Sequence, residues 1–344
     1  MKAFAVDQYK PIADLSHLKQ VDLPMPDKPQ GHDLIVQVKA VATNPIDYKR
    51  LANLGKHQQP FELKHPLVVG WDATGIVQQI GPDVTLFKPG DEVMFAGDFF
   101  RPGAFAQYTK VDERITALKP NNLSWSEAAA LPLTSLTAWE ALVDRLHIST
   151  NKDDNKDKTI LITAAAGGVG STATQIAKKV LGLTVIATAS RPETTHYAKR
   201  RGADHVVSHK EQYKPQLKAI DIENVDYILH CSDLTPELFT EFTDIVKPFG
   251  SIASIWPSAT VDLMQLFWKS INFSTELMFT RPNTGVTIQR QHHILTNISQ
   301  LVEEGVLEST ETETFDLTLE NLRGALEKQA TGKAIGKITL TFSD

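Results

Sequence analysis

The run Thr159-Ile-Leu-Ile-Thr-Ala-Ala-Ala-Gly-Gly-Val-Gly170, continuing into Ser171-Thr-Ala-Thr-Gln-Ile-Ala-Lys178, constrains this chain more than any other. Its β-branched start reads as a buried strand and its glycines as a tight turn. The apolar residues after the turn (Val169, Ala173, Ile176, Ala177, Val180, Leu181) recur at helical spacing. Strand, glycine turn and helix in that order aim backbone N–H groups from a helix N-terminus, where a pyrophosphate can be held. Ala164 stands where G-x-G-x-x-G spacing would have its first glycine. Gly167 and Gly168 let the backbone approach phosphate oxygens with no Cβ in the way, and Gly170 lets the helix pack close to the strand. Gly167, Gly168, Val169 and Gly170 are therefore the candidate cradle of a dinucleotide cofactor, whose usual chemistry is hydride transfer.

With 344 residues the chain is long enough for about two domains. A hydrophobic content of 42% and a charged content of 22% suit a globular protein. The net charge of −6 speaks against nucleic acid as a partner. No stretch has the make-up of a signal peptide or the roughly 20 apolar residues of a membrane span. The single cysteine, Cys231, excludes an intrachain disulfide and a thiolate zinc cluster, and fits a cytoplasmic location.

Up to about residue 125 the chain reads mainly as β. Leu34–Val41, Pro66–Gly70, Ala73–Ile80, Glu92–Phe95 and Gly103–Val111 are strand-like, with turn signals at Gly81-Pro82 and Lys88-Pro-Gly-Asp91. Many short strands punctuated by Gly and Pro predict a small barrel. From Ser124 the period changes. Ser124-Trp-Ser-Glu127 is a capping-box pattern before an Ala-rich helix, and a second helix is predicted over 136–146. Strands at Thr159, Thr184–Ala189, His205–Val207, Val225–His230 and Gly250–Ile255 then alternate with helices near 192–201 and 235–247, which predicts a parallel sheet covered on both faces. A long helix is expected from Gly285 to about 304. A final strand, Ala334–Thr341, is expected to return to the barrel. The fold class is thus α/β, with a discontinuous barrel domain (1–125 and 285–344) around a Rossmann-type doubly wound domain (126–284).

The end of the second parallel strand indicates the dinucleotide. An acidic residue there would bind a ribose diol, but Ser190 and Arg191 occupy the place. A guanidinium suits a 2′-phosphate, because its fork matches two phosphate oxygens. Glu193 is the rival acidic candidate, with a structural explanation as the partner of Ser190 in a capping box whose first turn holds Pro192. NADPH is the expected cofactor.

Taken in order, Asn44-Pro-Ile-Asp47, Gly70-Trp-Asp-Ala-Thr-Gly75, Lys88–Val93, Gly103–Tyr108, Ala128–Pro132, Leu136–Trp139, Ala164–Gly170 and Arg201-Gly-Ala-Asp204 resemble the medium-chain dehydrogenase/reductase superfamily. The quinone oxidoreductase branch is the nearest match. Lys269-Ser270, Glu276–Arg281 and Gly336-Lys337 point to the subgroup often labelled zinc-type alcohol dehydrogenase-like. The resemblance implies a GroES-like, partly open β-barrel domain and a Rossmann domain, with the cofactor in the cleft between them. Catalytic-zinc relatives carry Cys where Asn44 stands and His-Glu where Trp71-Asp72 stands. A third ligand is expected near Leu131-Pro132, where none exists, and His65 is expected to be a surface or packing residue. No zinc is expected.

The same resemblance puts Asn44 beside the nicotinamide and gives Asp47 the ordering of that loop. It leaves Tyr48 and Lys49 as candidate proton donors, because the family's tyrosine is replaced by Lys49. Trp71 is expected to wall the substrate pocket, and Thr134 to face the nicotinamide. His209 would lie near the adenosine phosphate, the Met278–Thr280 backbone including Phe279 would hold the carboxamide, and Lys333 would reach the phosphate end. His292 and His293 read as helix-surface residues. The implied activity is zinc-independent, NADPH-dependent reduction of a quinone or an α,β-unsaturated carbonyl. The alternatives are a zinc-type alcohol dehydrogenase and a non-catalytic NADPH-binding redox sensor. A homodimer is expected, paired through Gly250–Trp256 and Phe273–Phe279.

Overall fold

A computed structural model describes residues 1–10, 14–52 and 61–342. They form two compact units, one of Met1–Leu133 with Phe279–Asp344, the other of Thr134–Met278. The first unit thus extends past residue 125 and resumes before 285. The helix Trp125–Ala129 packs on the strands Asp33–Ala42 and Ala73–Ile80, so it belongs to the barrel.

The first unit is β-rich. Its larger sheet runs Glu311–Asp316, Lys337–Thr341, Asp33–Ala42, Ala73–Ile80, Glu92–Phe95 and Thr116–Leu118, and Tyr108–Asp112 also pairs with Asp33–Ala42. Lys19–Asp22, Lys2–Tyr9 and Phe61–Val68 make a smaller sheet. The last strand does return to the barrel, inserting between Glu311–Asp316 and Asp33–Ala42. Gly103–Val111 is a strand only in its second half. Before that, the chain crosses tightly over Val69–Gly70, where a Cβ on Gly103 would stand 2.3 Å from the Val69 carbonyl carbon. The predicted Ser124/Glu127 capping box is present, with Ser124 N donating to Glu127 Oε2 at 2.9 Å and Glu127 N to Ser124 Oγ at 3.2 Å.

The second unit is a six-stranded parallel sheet ordered His205–Val207, Thr184–Thr188, Thr159–Ile162, Val225–His230, Val246–Ser254, Asn272–Thr275. The order reverses direction at Thr159–Ile162, and the crevice at such a switch point is where doubly wound sheets bind their ligands. Leu161, Ile186, Ile228 and Ile252 from the central strands are fully buried against Phe239 and Phe242. The helix expected at 136–146 starts earlier, at Pro132, and ends in a wider turn, with Leu146 N donating to Ala141 O. The helix expected from Gly285 starts at Gln289, because Gly285 (φ +73°) closes a separate short helix, Thr280–Thr284. No helix among the described residues is long and apolar enough to cross a membrane.

Candidate active site

In the Thr134–Met278 unit the strand Thr159–Ile162 leads through Thr163–Ala166 to Gly167, the N-cap of the helix Gly168–Gln175. The first intrahelical bond is Ser171 N to Gly167 O, 2.9 Å. The N–H groups of Gly168, Val169 and Gly170 therefore lie ahead of the helical ladder, where a bound anion can accept from them. The glycines differ in why they are glycines. A Cβ on Gly170 would stand 2.4 Å from Ala164 O and 2.8 Å from Ala165 Cα, so the fold itself demands glycine there. At Gly167 a Cβ would meet only Ala164 O, at 3.3 Å. Packing within the fold thus explains Gly170 but hardly explains Gly167. Ala164, standing in for the expected first glycine, adopts φ +48°, and its N–H donates to Thr188 Oγ1 at 3.1 Å.

At the end of Thr184–Thr188, Ser190 Oγ lies 3.2 Å from His209 Nε2, and Arg191 Nε lies 3.3 Å from Glu193 Oε1. The Ser190/Glu193 capping box is not formed. Arg191 is the N-cap of the helix Pro192–Arg200, and its N–H donates to Thr194 Oγ1 at 3.1 Å. Proline at the first helical position moves the cap to the residue before it, which frees Ser190 for His209. The His209 pKa is lowered, by burial first and then by Lys210 and Arg191. Thr134 is buried and accepts from Thr172 Oγ1 at 3.3 Å.

The other unit holds a buried polar cluster. Asn44 caps the helix Pro45–Leu51, and its N–H donates to Asp47 Oδ2 at 2.7 Å. Asn44 Nδ2 donates to Asp72 Oδ2 at 2.8 Å, and the N–H of Leu133 to Asp72 Oδ1 at 2.7 Å. Lys337, from the last strand, completes the group. Its ammonium donates to Asn44 Oδ1 (2.5 Å), Asp72 Oδ2 (2.7 Å) and Thr43 O (2.8 Å), with only 2% of the residue exposed. Sequence reasoning assigned Lys337 no role, although a lone lysine in an otherwise uncharged final strand is a signal that a buried charge has a partner.

These residues do not fit zinc. Asn44 offers a carboxamide, Trp71 offers no lone pair, and Asp72 already shares one oxygen with an ammonium and an amide. Among the described residues no group of three or more His, Cys, Asp or Glu side chains could hold a metal ion. His65 is exposed.

Trp71, next to Asp72 in the chain, is buried and is part of an aromatic group. It stacks on Phe99 (centroids 5.3 Å apart, 23° between planes) and meets Phe279 edge-on at 5.8 Å. Two residues predicted for separate roles, Trp71 and Phe279, are thus in ring contact, and Phe99 joins them. Tyr48 and Lys49 are half-buried on the Pro45–Leu51 helix, and Lys333 is exposed in the turn before the last strand.

Burial pushes the Asp47 carboxyl up to about 8, with the Asn44 N–H and Lys337 opposing. It pushes Asp72 upward as well, against Lys337. In the Thr134–Met278 unit Glu276 is pushed up to about 8, by burial first and then by the neighbouring Glu140, against Arg145 Nε at 2.7 Å. A carboxyl whose pKa rises on folding favours the folded state fully below its unfolded value, near 4, and loses that advantage as pH climbs to the folded value. Stability is expected to fall between about pH 5 and pH 8 and to level off above that. Urea midpoints across this range check it, and Asp47→Asn is expected to make the slope shallower. A profile that is flat in both proteins would show that Asp47 and Glu276 do not keep their protons.

A family model described as a zinc-binding dehydrogenase matches residues 201–340, and one described as an alcohol dehydrogenase GroES-like domain matches residues 30–121. A zinc-type alcohol dehydrogenase-like protein of Staphylococcus aureus (strain COL) is 43% identical over 320 residues, covering 91% of this chain and 92% of that one. A chloroplastic quinone-oxidoreductase of Triphysaria versicolor is 31% identical over 341 residues, covering 99% and 98%. The crystal structure of a Rhizobium etli CFN 42 protein, proposed to be a zinc-dependent alcohol dehydrogenase, superposes with a TM-score of 0.92 at 41% identity and covers 100% of this chain and 98% of that one.

Proposed function

The chain belongs to the medium-chain dehydrogenase/reductase superfamily, and from that premise we propose that it is an NADPH-dependent oxidoreductase acting in the cytoplasm, which reduces quinones or α,β-unsaturated carbonyls without zinc. When bound, NADPH would supply a hydride, which together with one proton would convert a quinone to the hydroquinone and leave NADP⁺. The chain's own residues bind, orient and exclude water. The N–H groups of Gly168, Val169 and Gly170 hold the pyrophosphate, with Gly167 giving it room. Ser190, Arg191 and His209 hold the 2′-phosphate. The Phe279 backbone holds the carboxamide, Lys333 reaches a phosphate, and Thr134 faces the nicotinamide. Asn44, braced by Asp47, Asp72 and Lys337, shapes the acceptor side together with Trp71. Tyr48 and Lys49 are the candidate proton sources.

The observation that carries the zinc-free reading is the Lys337 ammonium, which pairs with Asp72 where metal-binding relatives place ligands. A second cation there would face that ammonium at close range. Quinones and enals suit such a site, because charge developing on hydride addition is delocalised onto their own oxygens. The Arg191–Glu193 pair is partly exposed, and such pairs contribute little. The guanidinium can exchange Glu193 for a phosphate, a stronger charge-assisted partner.

NADPH absorbance followed with a panel of quinones, enals and simple aldehydes, with and without a chelator, tests the reading. Oxidation by quinones or enals that survives chelation is expected. Aldehyde turnover lost on chelation would favour a zinc alcohol dehydrogenase instead. Tight NADPH binding with no turnover would favour a sensor. Arg191→Ala is expected to weaken NADPH binding about ten- to a hundredfold, the weight of one or two charge-assisted bonds, and to leave NADH binding alone. Equal losses for both would remove Arg191 from the 2′-phosphate site.

The assembly that goes with this reading is a homodimer through the open edge of the parallel sheet. The expected Gly250–Trp256 segment is not an edge, because Val246–Ser254 is paired on both sides; Asn272–Thr275 is the last strand of that sheet, and Phe267 and Trp268, just before it in the chain, are 64% and 81% exposed. Edges and apolar patches of this kind are normally covered. A monomer mass in light scattering would overturn the dimer.

A further inference from the structure

We infer that Trp71, Phe99, Phe100 and Phe279, with Arg50 at their rim, form a stacking platform that selects flat fused-ring quinones over aliphatic enals. The inference rests on the reductase reading above and narrows its substrate class. Phe100 is the clue. It is 74% exposed, yet it stands edge-on to Phe99 at 5.5 Å (82°), at the end of a row whose other rings are buried or half-buried. Phe99 in turn meets Trp71 at 5.3 Å and Phe279 at 5.5 Å.

The turn that presents Phe100 is tied down. Trp71 Nε1 donates to Asp98 O at 3.1 Å, Phe100 N to Asp98 Oδ1 at 2.8 Å, and Arg101 N to Asp98 O at 3.2 Å. Arg101 also pairs with Asp33 at 2.9 Å. A large ring held this firmly in water is preorganised to receive another flat π-face, at small entropic cost.

Arg50 supplies the polar half of the recognition. Its Cζ lies 5.0 Å from the Phe99 ring centroid, and its Nη1 donates to the Tyr9 hydroxyl at 2.8 Å. Its Nε is buried and has no hydrogen-bond partner among the described residues. A cation beside an aromatic face matches a ring that carries carbonyl oxygens at its edge. An aliphatic enal offers an oxygen but no face to stack.

The test compares wild type with Phe100→Ala and Phe99→Leu, using NADPH with 9,10-phenanthrenequinone and with trans-2-hexenal. The ratio of kcat/KM for the quinone to that for the enal is expected to fall about tenfold in Phe100→Ala, through KM, with the melting temperature unchanged because the side chain is exposed. An unchanged ratio, or an equal loss with both acceptors, would overturn the platform. Calorimetric titration of the cofactor-free protein with phenanthrenequinone separates the two levels of the argument. If no acceptor oxidises NADPH, the reductase reading falls. Binding of the quinone that weakens in Phe100→Ala would still support the platform, and binding indifferent to the substitution would not.

Discussion

Lys337→Met is expected to cost about 3–5 kcal/mol of stability, the usual consequence of removing one partner from a buried ion pair. Asp72 would keep its burial and its two N–H donors but lose the ammonium 2.7 Å away, and Asn44 Oδ1 would lose its donor. Denaturant midpoints measure the loss. Lys337→Met with Asp72→Asn leaves no unpaired charge and is expected to restore most of the stability. Activity should not recover with it. Without the ammonium Asn44 Oδ1 loses its donor and the carboxamide is held from its nitrogen side alone, and misplacement of a site group by about 1 Å costs on the order of a hundredfold in rate. A double variant that recovers both stability and turnover would reduce Lys337 to a packing element and remove the main support for zinc-free chemistry.

The second large effect is expected at the glycine turn, where two substitutions that look alike should behave differently. Gly170→Ala places a methyl 2.4 Å from a backbone oxygen, so helix and strand must separate. A loss of about 3 kcal/mol or failure to fold is expected, the upper range for overpacking. Gly167→Ala meets one atom, at 3.3 Å, and should fold. Its methyl would occupy the space proposed for phosphate, so NADPH affinity should drop at least about tenfold. Melting curves with and without NADPH separate the two, since a ligand raises stability only in proportion to its binding. A Gly167→Ala protein stabilised by NADPH as much as wild type would mean that the pyrophosphate lies elsewhere.

The features legible in the sequence are those encoded locally. Thr159–Gly170 places strand, turn and helix within a dozen neighbours, and the Ser124/Glu127 cap spans three residues, so each can be read from periodicity and side-chain type. The Ser190/Glu193 cap fails by one residue, although Pro192 already carries the information that the cap must be Arg191. The Lys337–Asp72 pair is out of reach because its partners lie 265 positions apart and only the sheet register brings them together. Phe99 and Phe100 sit in an irregular turn, where aromatic residues obey no period. The family pattern singles out Trp71 as a candidate, but the rings it meets are not legible there.

The return of the last strand to the barrel has a consequence for synthesis. Asp72 leaves the ribosome long before the lysine that neutralises it, while the whole Thr134–Met278 unit is made in between and has its own core. During translation the nucleotide-binding unit can fold first, whereas the barrel must wait with a carboxylate it cannot bury. A chain ending before Lys337 would leave that acidic group without its ammonium and Ala40–Ala42 without their partner strand. The surroundings of Asp72 are therefore completed only once Lys337–Thr341 has been made.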